Sequence, residues 1–189
     1  YVSCINSCKK IMLRIFFFSL LSFLFIQDKP TQNWTSNYRL QWQDFKAKPK
    51  LNTTTVAVTA SGLSFGFSTT TSSRGHIEDF DFTIEAQFYP EDSWYVKDRA
   101  NHHILEHERL HFDITELHAR KMRKRLQTTS FSKNINTEMN VIYSDSRNAL
   151  SKMQNQYDAE TNHSQNLEKQ LEWQAFIKQE LRKLAAYST

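Results

Sequence analysis

The sequence predicts an α+β fold, an N-terminal antiparallel sheet packed on a helix and followed by a C-terminal helical region. Three observations carry that reading. Phe80, Phe82, Ile84, Ala86 and Phe88 alternate with polar residues without a fault, the period of a half-buried strand. No Pro or Gly follows Pro90, so the rest of the chain is free to form long helices. Strands precede helices, and 189 residues that are 39% hydrophobic and 13% aromatic suffice for one core. With 3 Gly, 3 Pro and 2 Cys, the composition excludes a collagen, a Gly/Pro linker and a disulfide miniprotein.

The first segment is a leader. Lys9, Lys10 and Arg14 precede the apolar run Ile15 to Ile26, which is shorter than the roughly 20 residues of a membrane span. A basic start before a short apolar run is the pattern of a secretion signal, or of an N-terminal anchor if it is not cleaved. Met12 is a possible initiator. Cys4 and Cys8 both precede the run, so the body has no cysteine, which suits a bacterial envelope protein. Residues 1–26 are thus read as signal or anchor, 27–37 as a linker carrying Pro30, and 38–189 as a single domain.

Tyr38, Leu40 and Trp42 alternate with polar residues and suggest a first short strand. Val56, Val58 and Ala60 alternate, then Leu63, Phe65 and Phe67 alternate in the opposite phase, so a turn or bulge is expected at Ser61-Gly62. Thr69 to Gly75 reads as a loop, and Pro90 ends the strand through Phe88. One helix is expected from about Asp98 to Leu126. After a Ser/Thr/Asn-rich break, a second runs from about Thr137 to the mid-160s, and a third reaches about Ala186 and is possibly continuous with the second.

Charge narrows the partners. There are 24 Lys+Arg and 20 Asp+Glu, but three of the bases stand in the acid-free leader, so the body is nearly neutral. That gives no electrostatic reason to bind nucleic acid. The cluster Arg120, Lys121, Arg123, Lys124, Arg125 reads as a solvated helix end.

The chemistry lies in His107-Glu108-Arg109-Leu110-His111, an H-E-x-x-H. Residues four apart on a helix share a face, about 5–6 Å between Cβ atoms, so two imidazoles can share one tetrahedral zinc. Glu108 projects to the side, where a general base belongs. On a helical wheel Glu106, Arg109, Asp113, Glu116 and Arg120 form a charged stripe read as solvent-facing, and His107, Glu108, His111 and Thr115 face inward. His103 makes a second possible pair with His107 but lacks a glutamate placed like Glu108. His118 is too far along the axis to join the same ion and reads as packing or a helix-end cap. His102 and His76 have no evident partner.

A catalytic zinc needs a third protein ligand and an open position. The residues after His111 supply no third His, so the ligand comes from elsewhere. Tyr157-Asp158-Ala159-Glu160-Thr161-Asn162-His163-Ser164 concentrates three candidates. The wheel points Glu160 inward, with His163 at the edge of that stripe and Asp158 well off it.

Leu40-Gln-Trp42-Gln-Asp44-Phe45, the H-E-x-x-H with Phe112-Asp113-Ile114, and the segment from Tyr157 to Ser164 together resemble a bacterial family. It is catalogued as domain of unknown function 922 and regarded as predicted secreted zinc-dependent proteases. The resemblance covers about Trp34 to Trp173. In the family the later motif often ends His-Gly, where this chain has His163-Ser164. The resemblance implies a zincin-like architecture, His107 and His111 as metal ligands, Glu108 as the catalytic carboxylate, and a role at the site for Tyr157, Asp158, Thr161 and His163. It favours His163 or Asp158 as third ligand where the wheel favours Glu160, and His163 is the residue chosen.

The resulting expectation is a secreted or periplasmic zinc hydrolase, a peptidase acting on a peptide or other amide. It is expected to be a monomer, touching a membrane only through a retained leader. The rival is a non-catalytic envelope binding domain with a structural or vestigial zinc, which a fourth protein ligand would favour.

Overall fold

The structure is a computed structural model that describes residues 29–74 and 77–189. The leader, with the export expectation that rests on it, and His76 lie outside the described residues. Five strands and three long helices follow in the expected order: β1 (Gln32–Asn33), β2 (Ala57–Val58), β3 (Ser61–Thr71), β4 (Ile77–Phe88), β5 (Trp94–Tyr95), α1 (His102–Thr128), α2 (Ile135–Glu160) and α3 (Leu167–Lys183). The fold is α+β. One antiparallel sheet has the order β1-β4-β3, and β2 pairs with β5 in a second.

The alternation in the sequence becomes the register of the hairpin. Leu63 lies opposite Ala86, Phe65 opposite Ile84 and Phe67 opposite Phe82, so one face carries the apolar set. Ile84, Ala86 and Phe88 are buried and pack with Phe112, Ile114 and Leu117 of α1 in a single core. α1 is the central element and contacts β3, β4, α2 and α3. Asn101 starts it, its side chain accepting from Ile104 N at 3.0 Å, a favoured N-cap that places the helix start after the expected Asp98.

Several local expectations are corrected. The phase change near Ser61 is a change of sheet between β2 and β3; the irregularity within the hairpin lies at Thr70/Thr71. β3 runs on to Thr71, into the stretch read as a loop. Tyr38 to Trp42 is not a strand. Asp44 accepts from Gln41 N at 2.6 Å and from Tyr38 Oη at 2.8 Å, and these local bonds wind Trp42–Asp44 into a 3-10 turn. The stretch read as a linker supplies β1, and Trp34 donates its indole N–H to Asp113 at 2.8 Å. α2 and α3 are separate helices, α2 ending at Glu160.

The stripe read as solvent-facing on α1 is largely buried. Asp113 is held by Trp34 and by Arg39 at 2.6 Å. Glu116 is wholly buried and accepts from Arg120 at 2.7 Å and Arg123 at 3.2 Å. The two arginines are buried as well, donating to Leu181 O, Ile84 O and Tyr187 O. Arg120 and Arg123 are therefore not a solvated helix end: residues 34–39 and the turn after α3 cover that face of α1. Among the described residues no helix is long and apolar enough to cross a membrane.

Candidate metal centre

His107 and Glu108 are both buried and His111 is nearly so, all on the flank of α1 that meets α2 and the start of β3. The inward reading of the motif is thus what the structure shows. His107 Nε2 and His111 Nε2 are 3.2 Å apart. Both face Asp158 Oδ1, at 3.1 Å and 3.0 Å. Ligand atoms of His107, His111 and Asp158 lie within 4.8 Å of one another.

The hydrogen bonds behind the rings decide what these atoms can do. His107 Nδ1 faces Gln170 Oε1 at 3.2 Å, and His111 Nδ1 faces Gln154 Oε1. Each amide's orientation is set by its other end: Gln154 Nε2 donates to His111 O at 2.9 Å and Gln170 Nε2 to His103 O at 3.2 Å. With Nδ1 donating to an amide oxygen, each neutral ring offers its Nε2 lone pair forward. Two such lone pairs and a carboxylate oxygen meeting at 3.0–3.2 Å repel one another unless a proton or a metal cation lies among them. The spacing also suits one: tetrahedral ligands about 2.0–2.1 Å from an ion stand about 3.3 Å apart. The group can hold a metal ion, and N/N/O donors fit a borderline divalent ion.

The protonation balance is consistent with a site built around charge. Burial raises the Asp158 carboxyl, but the hydrogen bonds from His107 and His111 outweigh it and hold the group well below the usual carboxylate range. Burial lowers His111, yet the Asp158 hydrogen bond, the charge of Glu108 and the Gln154 contact together raise it. Tyr157 is buried and stacks on His107 with ring centroids 4.5 Å apart; burial and the charge of Glu108 push its hydroxyl far up, so it stays neutral. Glu108 is buried and follows His107 directly on the same helix, and its charge contributes to the shifts of both His111 and Tyr157.

The residue that the structure groups with the two imidazoles is Asp158, and His163, the residue chosen from the sequence, stands outside the group. α2 stops at Glu160, and Asn162, His163 and Ser164 take left-handed φ values of 47°, 50° and 74°. That turn carries His163 outward: its side chain is 75% exposed, at the rim, with Nδ1 3.7 Å from Asp158 Oδ1. Asp158, on the last helical turn, still faces α1. Glu160 points away and takes the Trp173 indole N–H at 2.8 Å, tying α3 to α2. Thr161 is buried and donates to Tyr157 O at 2.7 Å, closing the helix end. His103 is no ligand either: its Nε2 faces Ser164 O at 2.5 Å and so clamps the turn to α1. His118 is packing, buried with Nε2 unpartnered. Gln154 was findable in principle, four residues before Asp158 on one helix face; Gln170, on another helix, was not.

Residues 34–164 match a family described as bacterial protein of unknown function (DUF922). The chain belongs to that family. The DUF922 match begins at Trp34, whose indole holds Asp113, and ends at Ser164, whose carbonyl meets His103. It therefore includes the whole metal group but not Gln170, which α3 supplies from beyond it. No curated protein and no solved structure matches the chain. A cleft of about 840 Å³ lies on the opposite face of α1, lined by Trp34, Asp113 and Arg120, and contains no histidine. A smaller one of about 530 Å³ reaches Gln154, directly behind His111.

Proposed function

We propose that this DUF922 chain is an exported zinc-dependent hydrolase that cleaves peptide or other amide bonds. The observation that carries the reading is the convergence of His107 Nε2, His111 Nε2 and Asp158 Oδ1, backed by two glutamines, beside a buried Glu108. Among the described residues three protein groups converge rather than four, which suits an open, catalytic site better than the structural-zinc rival. Zinc held there would supply Lewis acidity and lower the pKa of a water.

The chain's own residues supply the rest. Glu108 accepts a proton as water adds its oxygen to the carbonyl carbon, and returns that proton to the nitrogen as the C–N bond breaks. Gln154 and Gln170 hold the two imidazoles in one tautomer, and Tyr157 packs them from behind. β3 is an edge strand of its sheet, starting where Ser61 Oγ meets Thr115 Oγ1 at 2.7 Å, one turn beyond His111. An extended substrate can pair with that edge and lie across the site.

The deciding test is Glu108→Gln. The variant should fold and keep one zinc per chain by elemental analysis, while losing a factor on the order of 10²–10⁴ in peptide hydrolysis. Retention of full hydrolytic activity in Glu108→Gln would end the reading.

A further inference from the structure

The smaller cleft lies between the start of β3 and one face of α2. Its walls include Gly62, Leu63, Tyr89, Tyr143, Arg147 and Gln154. Gln154 joins it to the metal group, since its side chain backs His111. Arg147, Gln154 and Asp158 stand at i, i+7 and i+11 on α2, so one helix face runs from the cleft to the metal ligand.

The cleft's chemistry is one-sided. Arg147 is the one charged residue lining it, and among the described residues no carboxylate lies within ion-pair distance of its guanidinium. Instead the guanidinium sits over the Tyr143 ring, 5.6 Å from its centroid, which orients it without neutralising it. Tyr143 Oη donates to Leu63 O at 3.1 Å and fixes that ring against the β3 edge. Tyr89 closes the other side. Its hydroxyl lies 3.0 Å from where a Cβ on Gly62 would stand, so a side chain there would push the phenol by a few tenths of an ångström.

The edge itself is oriented for a peptide. Ala86 O accepts from Trp34 N, so Ala86 turns its polar groups toward β1, and its partner Leu63 turns its own away from β4, where Tyr143 already takes its carbonyl. A peptide seated in the cleft would lie beside that edge and run toward Arg147.

We propose that this cleft is a substrate subsite selecting a carboxylate, with Arg147 as its specificity-determining residue. The inference rests on the peptidase reading and names its substrate class: peptides bearing an acidic group at a distance from the cut. Eleven residues of helix separate Arg147 from Asp158, a rise of about 16 Å. An extended chain covers that in about five residues, and long side chains shorten it to roughly three to five. That span excludes a carboxypeptidase pattern, in which the terminal carboxylate stands one residue from the scissile bond. The carboxylate is an Asp or Glu side chain or a more distant C-terminus, and the test separates these.

The probe is a set of fluorescein-labelled dodecapeptides of Ala, Ser and Leu, with one Glu walked through the sequence, each paired with its Gln counterpart. Both free-acid and amidated C-termini are used. Binding is read by fluorescence anisotropy on the zinc-loaded Glu108→Gln protein, which does not consume the probe. At the favoured position the Glu peptide should bind about tenfold more tightly than its Gln counterpart, as expected for one charge-assisted contact. Arg147→Gln should abolish that ratio, and Arg147→Glu should transfer the preference to a Lys peptide. A ratio near one with no preference for the free acid over the amide, a preference that survives Arg147→Gln, or no binding of any peptide overturns the subsite. Preference for the free acid over the amide, without a Glu position effect, assigns the carboxylate to the terminus. Hydrolysis by the Glu108 parent without a carboxylate preference sinks the subsite and spares the peptidase. Arg147-dependent preference without hydrolysis does the reverse.

Discussion

Asp158 and His163 are five residues apart in sequence, and their side chains have different duties. Asp158 Oδ1 lies within 3.1 Å of both imidazoles, whereas His163 sits exposed at the rim. Asp158→Ala should therefore abolish tight zinc binding, and His163→Ala should leave affinity within a few-fold, as measured by competition with a chromogenic chelator. Gln170→Leu removes only the support behind His107 and should cost about 10–100-fold in affinity. A second residue-scale prediction concerns His118. Burial, aided by the charge of Lys121, lowers its pKa to about 4, against an ordinary value near 6.5. The unfolded chain thus binds the proton more readily between those two values. Stability contributed by neutral His118 is complete above pH 6.5 and is lost as pH falls toward 4, a swing of about 3 kcal/mol. His118→Leu should flatten that part of the urea-unfolding profile, and an unchanged slope would show that the imidazole is not buried as described.

At the scale of elements, α1 is held on two flanks by different physics. Its metal flank meets α2 through His111, Gln154 and Asp158. Its other flank buries Glu116 with Arg120 and Arg123, whose spare donors take carbonyls of β4 and of the C-terminal turn. A buried charge that loses its partner is costly, so Glu116→Ala should destabilise the fold by about 3–5 kcal/mol in denaturant titration. A cost below about 1 kcal/mol would mean that water reaches the arginines. The helical wheel read this flank as solvated because charges four apart on a helix are the usual mark of a wet face. Here residues 34–39 and the chain's last turn cover it, and neither lies near α1 in sequence. The first strand expected at Tyr38 to Trp42 failed for a local reason instead. Period-2 alternation over five residues was outweighed by Asp44 bonding back onto Gln41 and Tyr38.

For the molecule as a whole, the metal group joins α1 to the end of α2, so occupancy should stabilise the entire domain. At a free zinc concentration a hundredfold above Kd, linkage adds about 2.7 kcal/mol. For a domain of this size each kcal/mol moves Tm by about 2–4 °C, so chelation should lower Tm by roughly 5–10 °C. Calorimetry with and without a chelator checks this, and identical curves would mean that the folded state holds no ion.

By itself the sequence determined the α+β order, the face of β4 that is buried, the long helix that carries the H-E-x-x-H, and the pairing of His107, Glu108 and His111 on its inner flank. Each depends on residues within a few positions of one another, where the strand and helix periods dictate direction. Tertiary structure alone decided that Asp158 completes the group, that Gln170 orients His107, that His163 is thrown outward, and that Glu116, Arg120 and Arg123 are buried. Those outcomes depend on where α2 ends and on what covers α1. Both are set by left-handed turn residues and by segments far apart in the chain, whose approach no local period encodes.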